Sequence, residues 1–176
     1  SNIAMDRSSM SSARFAGKLL AAREARQELL SRALSAGRPA TLFVSLNLPG
    51  PDKSPPGATG LFRRGCAQIA ETFPGSLLLA TDRDALGHFS LRVVDADPLA
   101  VKRLCIAIEE SHPAARLLDL DVYSAQTVQI GRTSLGLPAR RCLVCDQPAV
   151  DCMRAGRHAA SEVIALAHEL LAHCRA

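Results

Sequence analysis

Two aspartates separated by one leucine, Asp119 and Asp121, stand inside the aliphatic run Arg116-Leu117-Leu118-Asp119-Leu120-Asp121-Val122. The run reads as a β-strand. Side chains on a strand alternate faces at about 3.3 Å per residue, so both carboxylates emerge on one face roughly 6.6 Å apart at the Cα level. Leu118, Leu120 and Val122 then fill the other face. Two carboxylates converging from an apolar strand repel each other and resist desolvation, so they call for a cation, a basic partner or solvent. A Mg2+ ion shared with substrate phosphates meets that need. The plainer alternative is a solvated sheet face.

A second group of chemically active residues follows. Cys142-x2-Cys145-x6-Cys152, with His158 after five further residues, supplies four soft ligands in a short segment. A Cys3His set satisfies structural zinc in tetrahedral geometry. The interval between the second and third ligands is short for a zinc finger, and buried free thiols or a redox pair are the competing readings. A redox pair would normally open a helix in a thioredoxin-like βαβ unit, which this stretch lacks. Arg140, Arg141, Arg154 and Arg157 surround the cysteines and are offset only by Asp146 and Asp151. A guanidinium donates two parallel hydrogen bonds to phosphate, although a solvated basic face has the same composition. Lys53 lies in Asn47 to Gly57, a loop with four prolines and two glycines that could present it to a phosphate. The Gly-Lys-Ser ending and glycine spacing of a Walker loop are missing. Of the histidines, His88 and His158 are candidates for function, whereas His168 and His173 read as surface residues of a terminal helix.

The elements that must position these groups alternate along the chain. Phe15, Leu19, Ala22, Leu29 and Ala33 recur at helical spacing from about Ala13 to Leu34, and Gly37 and Pro39 end the helix. Ala40 to Leu46 predicts a buried strand, Gly60 to Thr72 a helix, and Ser76 to Ala80 and His88 to Val94 two more strands. Asp97 and Pro98 open a helix with the apolar stripe Val101, Leu104, Cys105 and Ile108, which His112-Pro113 closes. The aspartate strand comes next, then a short partner strand at Gln126 to Ile130, and a last helix from about Ser161 to Cys174. Adjacent strands without crossover helices favour an α+β (mixed α/β) single domain, a four- to five-stranded mixed or antiparallel sheet packed by three to four helices.

Composition sets the outer limits. The chain has 176 residues, 48% hydrophobic and 22% charged, as expected of one globular domain with a real core. No Trp and a single Tyr argue against a stacking platform for nucleic acid, and a formal charge of +4 is only a mild bias toward anionic partners. Six cysteines with uneven spacing and no secretory h-region before them point to a reducing, cytoplasmic setting, and no apolar run reaches the length of a membrane helix. Ser1-Asn2-Ile3-Ala4-Met5 reads as a tag remnant. Residues 1–12 are therefore set apart as a tag-derived or disordered terminus, with 13–176 as the domain.

Several segments in order resemble the apo-citrate lyase phosphoribosyl-dephospho-CoA transferase family, the citrate lyase holo-acyl-carrier-protein synthases. They are Arg23-Glu24-Ala25-Arg26, Ser45-Leu46-Asn47-Leu48-Pro49-Gly50-Pro51-Asp52-Lys53, the aspartate strand, and Arg140-Arg141-Cys142-Leu143-Val144-Cys145 through Cys152-Met153-Arg154 to His158. One departure is Ala115, where the family usually has Gly; another is the Ala-rich region from Ala155 to Ala167. The resemblance implies a nucleotidyltransferase-type reaction. The 2'-(5''-phosphoribosyl)-3'-dephospho-CoA group would pass from its triphosphate precursor to a serine of the citrate lyase acyl carrier subunit, with release of pyrophosphate. Asp119 and Asp121 would be the catalytic Mg2+ ligands, and Asn47, Lys53, Arg116, Arg140 and Arg141 would contact the donor. Strand alternation turns Arg116 away from the aspartates unless it sits at the strand end. Two other classes remain open: a zinc-stabilised module binding an acidic protein or nucleic acid, and a phosphate-ester hydrolase using the same aspartates.

Overall fold

The computed structural model describes residues 2–174, and the side chains of residues 10–174. Its centre is a five-stranded antiparallel sheet in the order β2-β3-β1-β4-β5. The strands are β1 (Ala40–Leu46), β2 (Leu77–Asp84), β3 (Gly87–Val94), β4 (Leu118–Ser124) and β5 (Gln129–Ile130). Five helices accompany them: α1 (Asn2–Leu34), α2 (Ala58–Thr72), α3 (Pro98–Glu109), α4 (Ala149–Ala155) and α5 (Ala160–Ala172). The expected α+β domain is present, with the sheet antiparallel throughout. The additional helix is α4, a two-turn element that follows Pro148 and carries Cys152; its seven residues are too few to show an apolar period.

Alternation on the central strands sorts the core into two clusters. Leu42, Val44, Leu118, Leu120 and Val122 point to one face, where they pack with Leu61 and Ile69 of α2, Val101, Cys105 and Ile108 of α3, and Ala167 and Leu171 of α5. Phe43, Phe89 and Leu91 point to the other, beneath Leu30 and Ala33 of α1. Buried aliphatic surface is worth about 25 cal/mol per Å2, so the first, larger cluster carries most of the cohesion. Arg26 on α1 lies over the Phe89 ring at 4.6 Å and grips Asp84 through two bonds of 2.7 Å. That clamp fixes α1 along the sheet.

Two boundaries and one buried face differ from the sequence expectation. Helix α1 begins at Asn2 rather than near Ala13; Met10 and Phe15 are exposed, so no burial pattern marks a start there. Strand β2 continues through Thr81-Asp82-Arg83-Asp84, because β3 supplies the backbone partners that this polar stretch does not advertise. On α3, Asp97 caps Ala100 N at 2.8 Å as expected, but Leu104 is 45% exposed while Lys102 and Glu109 are buried. Two charged side chains thus take places that an apolar stripe would predict for leucines.

Candidate active site and metal cluster

Strand β4 lies between β1 and β5, with Asp119 opposite Ser45 and Asp121 opposite Phe43. Both aspartates are half-buried on the α1 side of the sheet, while Leu118, Leu120 and Val122 are fully buried on the other. Tyr123 continues the carboxylate row, and Gln129 Nε2 donates to Asp121 Oδ1 at 3.0 Å. Burial, reinforced by the neighbouring Asp119 charge, pushes the Asp121 carboxyl up to about 6; Lys102, Arg140 and the Gln129 bond pull the other way and do not cancel it. Burial, then Asp121 and Asp119, raise the Tyr123 phenol as well. The face therefore carries negative charge that its neighbours offset only in part.

The cations beside this pair come from an unexpected direction. Strand β5 is only two residues long, so the carbonyls of Leu118 and Leu120 on the outer edge of β4 have no strand to pair with. Lys102 Nζ donates to Leu120 O at 2.6 Å, and Arg140 donates to Leu118 O at 3.1 Å and Arg116 O at 3.4 Å. Arg140 also pairs closely with Glu109 and reaches Asp119 Oδ1 at 3.4 Å. Glu109 is 2% exposed, and burial raises its pKa against the pull of Arg140, Lys102 and Arg132. One of its oxygens, Oε1, has no hydrogen-bond donor, and the Arg132 guanidinium stands 3.7 Å from it. Lys102, Glu109 and Gln129 went unrecognised from sequence. The available signal was Lys102 and Glu109 seven residues apart on an amphipathic helix, two turns along one face.

The remaining sequence candidates divide. Cys142, Cys145, Cys152 and His158 come together, with their ligand atoms all within 4.8 Å of one another. Cys145 Sγ lies 3.5 Å from Cys152 Sγ and 3.3 Å from His158 Nε2. Burial opposes ionisation of Cys142, but hydrogen bonds from the Val144 and Cys145 amides and from the Cys152 and Cys145 thiols together outweigh it and lower its pKa. The cluster can hold a metal such as zinc.

Arg116 does not reach the aspartates. It belongs to the 3-10 turn Pro113–Leu117 ahead of β4, and its guanidinium donates to Cys142 O at 2.7 Å. Arg141 is 72% exposed, with only a 3.5 Å contact to Asp146. Lys53 bends back onto Leu48 O at 2.6 Å, and burial and the nearby Arg23 lower its pKa. Its loop is held by Gly87 (φ +98°), where a Cβ would come 2.6 Å from Lys53 O, so only glycine lets the two backbones meet. Asn47 is exposed at the end of β1 with its backbone N–H on Leu117 O at 2.8 Å. His88 is committed to Thr59 Oγ1 at 2.9 Å and stacks on Phe62. His168 and His173 are exposed, as expected.

A single α+β domain that displays paired carboxylates on an open strand face, stitched to a soft-ligand cluster, defines the architecture. The family profile described as apo-citrate lyase phosphoribosyl-dephospho-CoA transferase matches residues 16–174, and the chain belongs to that family. The apo-citrate lyase phosphoribosyl-dephospho-CoA transferase of Citrobacter koseri is 30% identical over 160 residues, 88% of this chain and 86% of that protein. The Protein CitXG of Leuconostoc mesenteroides is 32% identical over 142 residues, 77% of this chain but 30% of its own length. A probable apo-citrate lyase phosphoribosyl-dephospho-CoA transferase of Vibrio cholerae is 40% identical over 70 residues, 40% of this chain and 39% of that protein.

Proposed function

We propose that this protein transfers the 2'-(5''-phosphoribosyl)-3'-dephospho-CoA group from its triphosphate precursor to a serine of the apo-citrate lyase acyl carrier subunit, releasing pyrophosphate. The observation that carries the reading is the placement of Asp119 and Asp121 on one open face of β4 within a chain of this family. In such a nucleotidyltransferase-type step the serine Oγ forms a bond to the α-phosphorus and the bond to pyrophosphate breaks. The hydroxyl proton leaves to an aspartate or a phosphate oxygen. Alignment and charge neutralisation are the main demands.

The donor set fits Mg2+: hard carboxylate oxygens, two residues apart on a strand, one of them held protonatable by burial and its neighbour. When bound there, Mg2+ supplies neutralisation of the triphosphate and of the departing pyrophosphate. Asp119 and Asp121 would ligate it. Asn47 and Lys53, beyond the C-terminal end of β1, would contact the donor, Lys53 after exchanging its bond to Leu48 O. Arg140 steadies Asp119 and the β4 edge, and Arg116 steadies the cysteine segment, so both act by positioning. Zn2+ would be the structural metal at the cysteine cluster.

The open setting of the aspartates suits a nucleophile carried on another folded protein. Two hollows of about 310 and 320 Å3 lie elsewhere and are lined by neither aspartate. A CoA-derived donor and a citrate lyase carrier would put the reaction in the cytoplasm; among the described residues no helix is long and apolar enough to cross a membrane. The test is intact mass of apo acyl carrier subunit incubated with the protein, Mg2+ and the triphosphate donor. The carrier should gain the mass of the phosphoribosyl-dephospho-CoA group. An unchanged carrier rejects the reading, and pyrophosphate release without carrier gain assigns a hydrolase instead.

A further inference from the structure

The cysteine cluster and the carboxylate strand are sewn together by arginines running in both directions. Arg116, two residues before β4, donates to the carbonyl of Cys142, and Arg140, two residues before Cys142, donates to the carbonyls of Arg116 and Leu118. The segment carrying Arg140 is a hairpin closed by Cys142 N to Gln147 O and Ala149 N to Arg140 O, both 2.8 Å, with the isolated bridge Arg141 to Pro148 between them. Its backbone thus folds around the cluster, while the Arg140 side chain reaches out to Glu109 and Asp119.

Two of the cluster's separations match those of a filled site, and its full spread of 4.8 Å is about 1 Å wider. Zinc–sulfur bonds of about 2.3 Å and zinc–nitrogen bonds of about 2.0 Å in a tetrahedron separate neighbouring ligand atoms by roughly 3.5–3.8 Å. The Cys145–Cys152 and Cys145–His158 separations of 3.5 and 3.3 Å are close to that and far beyond a disulfide bond. The Val144 N–H directed at Cys142 Sγ, 3.5 Å away, is the kind of second contact that steadies a metal-bound thiolate.

We propose that Cys142, Cys145, Cys152 and His158 bind one Zn2+, and that the filled clip holds the Arg140 guanidinium against Glu109, Asp119 and the edge of β4. A soft metal thereby sets the arrangement of the aspartate face. Arg140 is a positioning residue in this scheme. The metal site and its grip on Arg140 stand independently of the transfer reaction; only the consequence for catalysis rests on the proposed function.

The experiment reads Arg140 directly. Protein purified without chelator is assayed for zinc, stripped with a soft-metal chelator under reducing conditions, and divided into stripped, Zn2+-reloaded and Co2+-loaded samples. Each is treated with an arginine-specific dicarbonyl reagent, and modification is located by peptide mass spectrometry. One zinc per chain is expected, with thiolate-to-cobalt absorption in the Co2+ form. Arg140 should react about tenfold faster after stripping, the factor equivalent to losing roughly 1.4 kcal/mol of charge-assisted pairing. Reloading should restore protection, while exposed Arg38, outside the clip, stays constant throughout. Arg116→Ala retains all four ligands, so it should bind zinc yet leave Arg140 more reactive. Equal Arg140 reactivity in stripped and reloaded protein overturns the coupling. Failure to take up either metal, or loss of the whole sheet by circular dichroism on stripping, overturns the local clip. None of these readouts requires donor, carrier or Mg2+, so failure of the transfer assay leaves them interpretable.

Discussion

Replacing Asp121 by Asn should stabilise the metal-free protein while abolishing its response to Mg2+. The substitution keeps the side-chain shape and leaves an oxygen to accept from Gln129, which now bonds Asp121 at 3.0 Å. What it removes is a charge that burial and Asp119 disfavour, enough to raise the carboxyl from 3.8 to about 6. At about 1.36 kcal/mol per tenfold change in proton affinity, ionised Asp121 costs the fold roughly 3 kcal/mol at pH 7 as an upper bound. Half-exposed surroundings and relaxation reduce this, and about 2 kcal/mol is a realistic gain. For a chain of this length that is a rise in melting temperature of about 4–8 °C.

The pH dependence has a definite sign. The folded state binds the Asp121 proton more tightly than the unfolded state, so between about 6 and 3.8 lowering the pH stabilises the wild type through this group. The advantage of Asp121→Asn should therefore be largest above pH 7 and shrink as pH falls toward 4. Mg2+ should raise the melting temperature of the wild type at pH 7.5, less so below pH 6 where the proton competes, and not that of the variant. Turnover of the variant should fall by at least about 10²-fold, the scale of losing one electrostatic contact at a reacting centre. Differential scanning fluorimetry at two pH values, with and without Mg2+, decides it. A variant less stable than wild type without metal, a pH-independent difference, or equal Mg2+ stabilisation of both proteins would refute the reasoning.

Two further outcomes follow from the same cluster. Arg140→Met strands the buried Glu109 carboxylate and the Leu118 carbonyl, and urea denaturation should show a loss of about 3–5 kcal/mol; adding Glu109→Gln should recover part of it, and no recovery would mean that the two side chains are not coupled. Tyr123 is the sole tyrosine, and burial, Asp121 and Asp119 hold its phenol above the ordinary value of 10. Absorbance titration of Asp119→Asn/Asp121→Asn should find that pKa lowered relative to wild type, and an unchanged value would separate Tyr123 from the carboxylate row.

The parts of the fold legible in the sequence are those where a period of two or a capping pair controls the backbone. Leu118, Asp119, Leu120, Asp121 and Val122 alternate as a half-buried strand must, and Asp97-Pro98 starts α3 where cap chemistry requires. The cysteine spacing likewise brought four ligands to one place. Side-chain partners between distant segments were not legible. Arg140 and Arg141 are adjacent and chemically equal in sequence, yet one is bound to Glu109 and the other is 72% exposed. Arg116 resembles a phosphate contact until the 3-10 turn directs it to Cys142 O. Nor does Lys102 reveal its purpose, because the need it meets, an unpaired carbonyl on β4, arises only when the sheet is assembled.

That need explains why the cations sit where they do. An edge carbonyl buried without a donor costs about 1–3 kcal/mol, and β4 would present two of them because β5 stops after Ile130. A longer β5 would cover Leu118 O and Leu120 O with backbone amides, which are neutral. Covering them with Lys102 and Arg140 satisfies the backbone and also brings two positive charges beside Asp119 and Asp121. Those charges moderate the repulsion between the carboxylates without occupying their open face, so the pair stays together and free to take a cation. The Glu109 carboxylate, buried between Arg140 and Arg132, pairs with Arg140 more closely than Asp119 does, which Arg140 meets only at 3.4 Å. The short strand, the two caps and the buried glutamate therefore form one device, and the alternation of β4 supplies the carboxylates on which it acts.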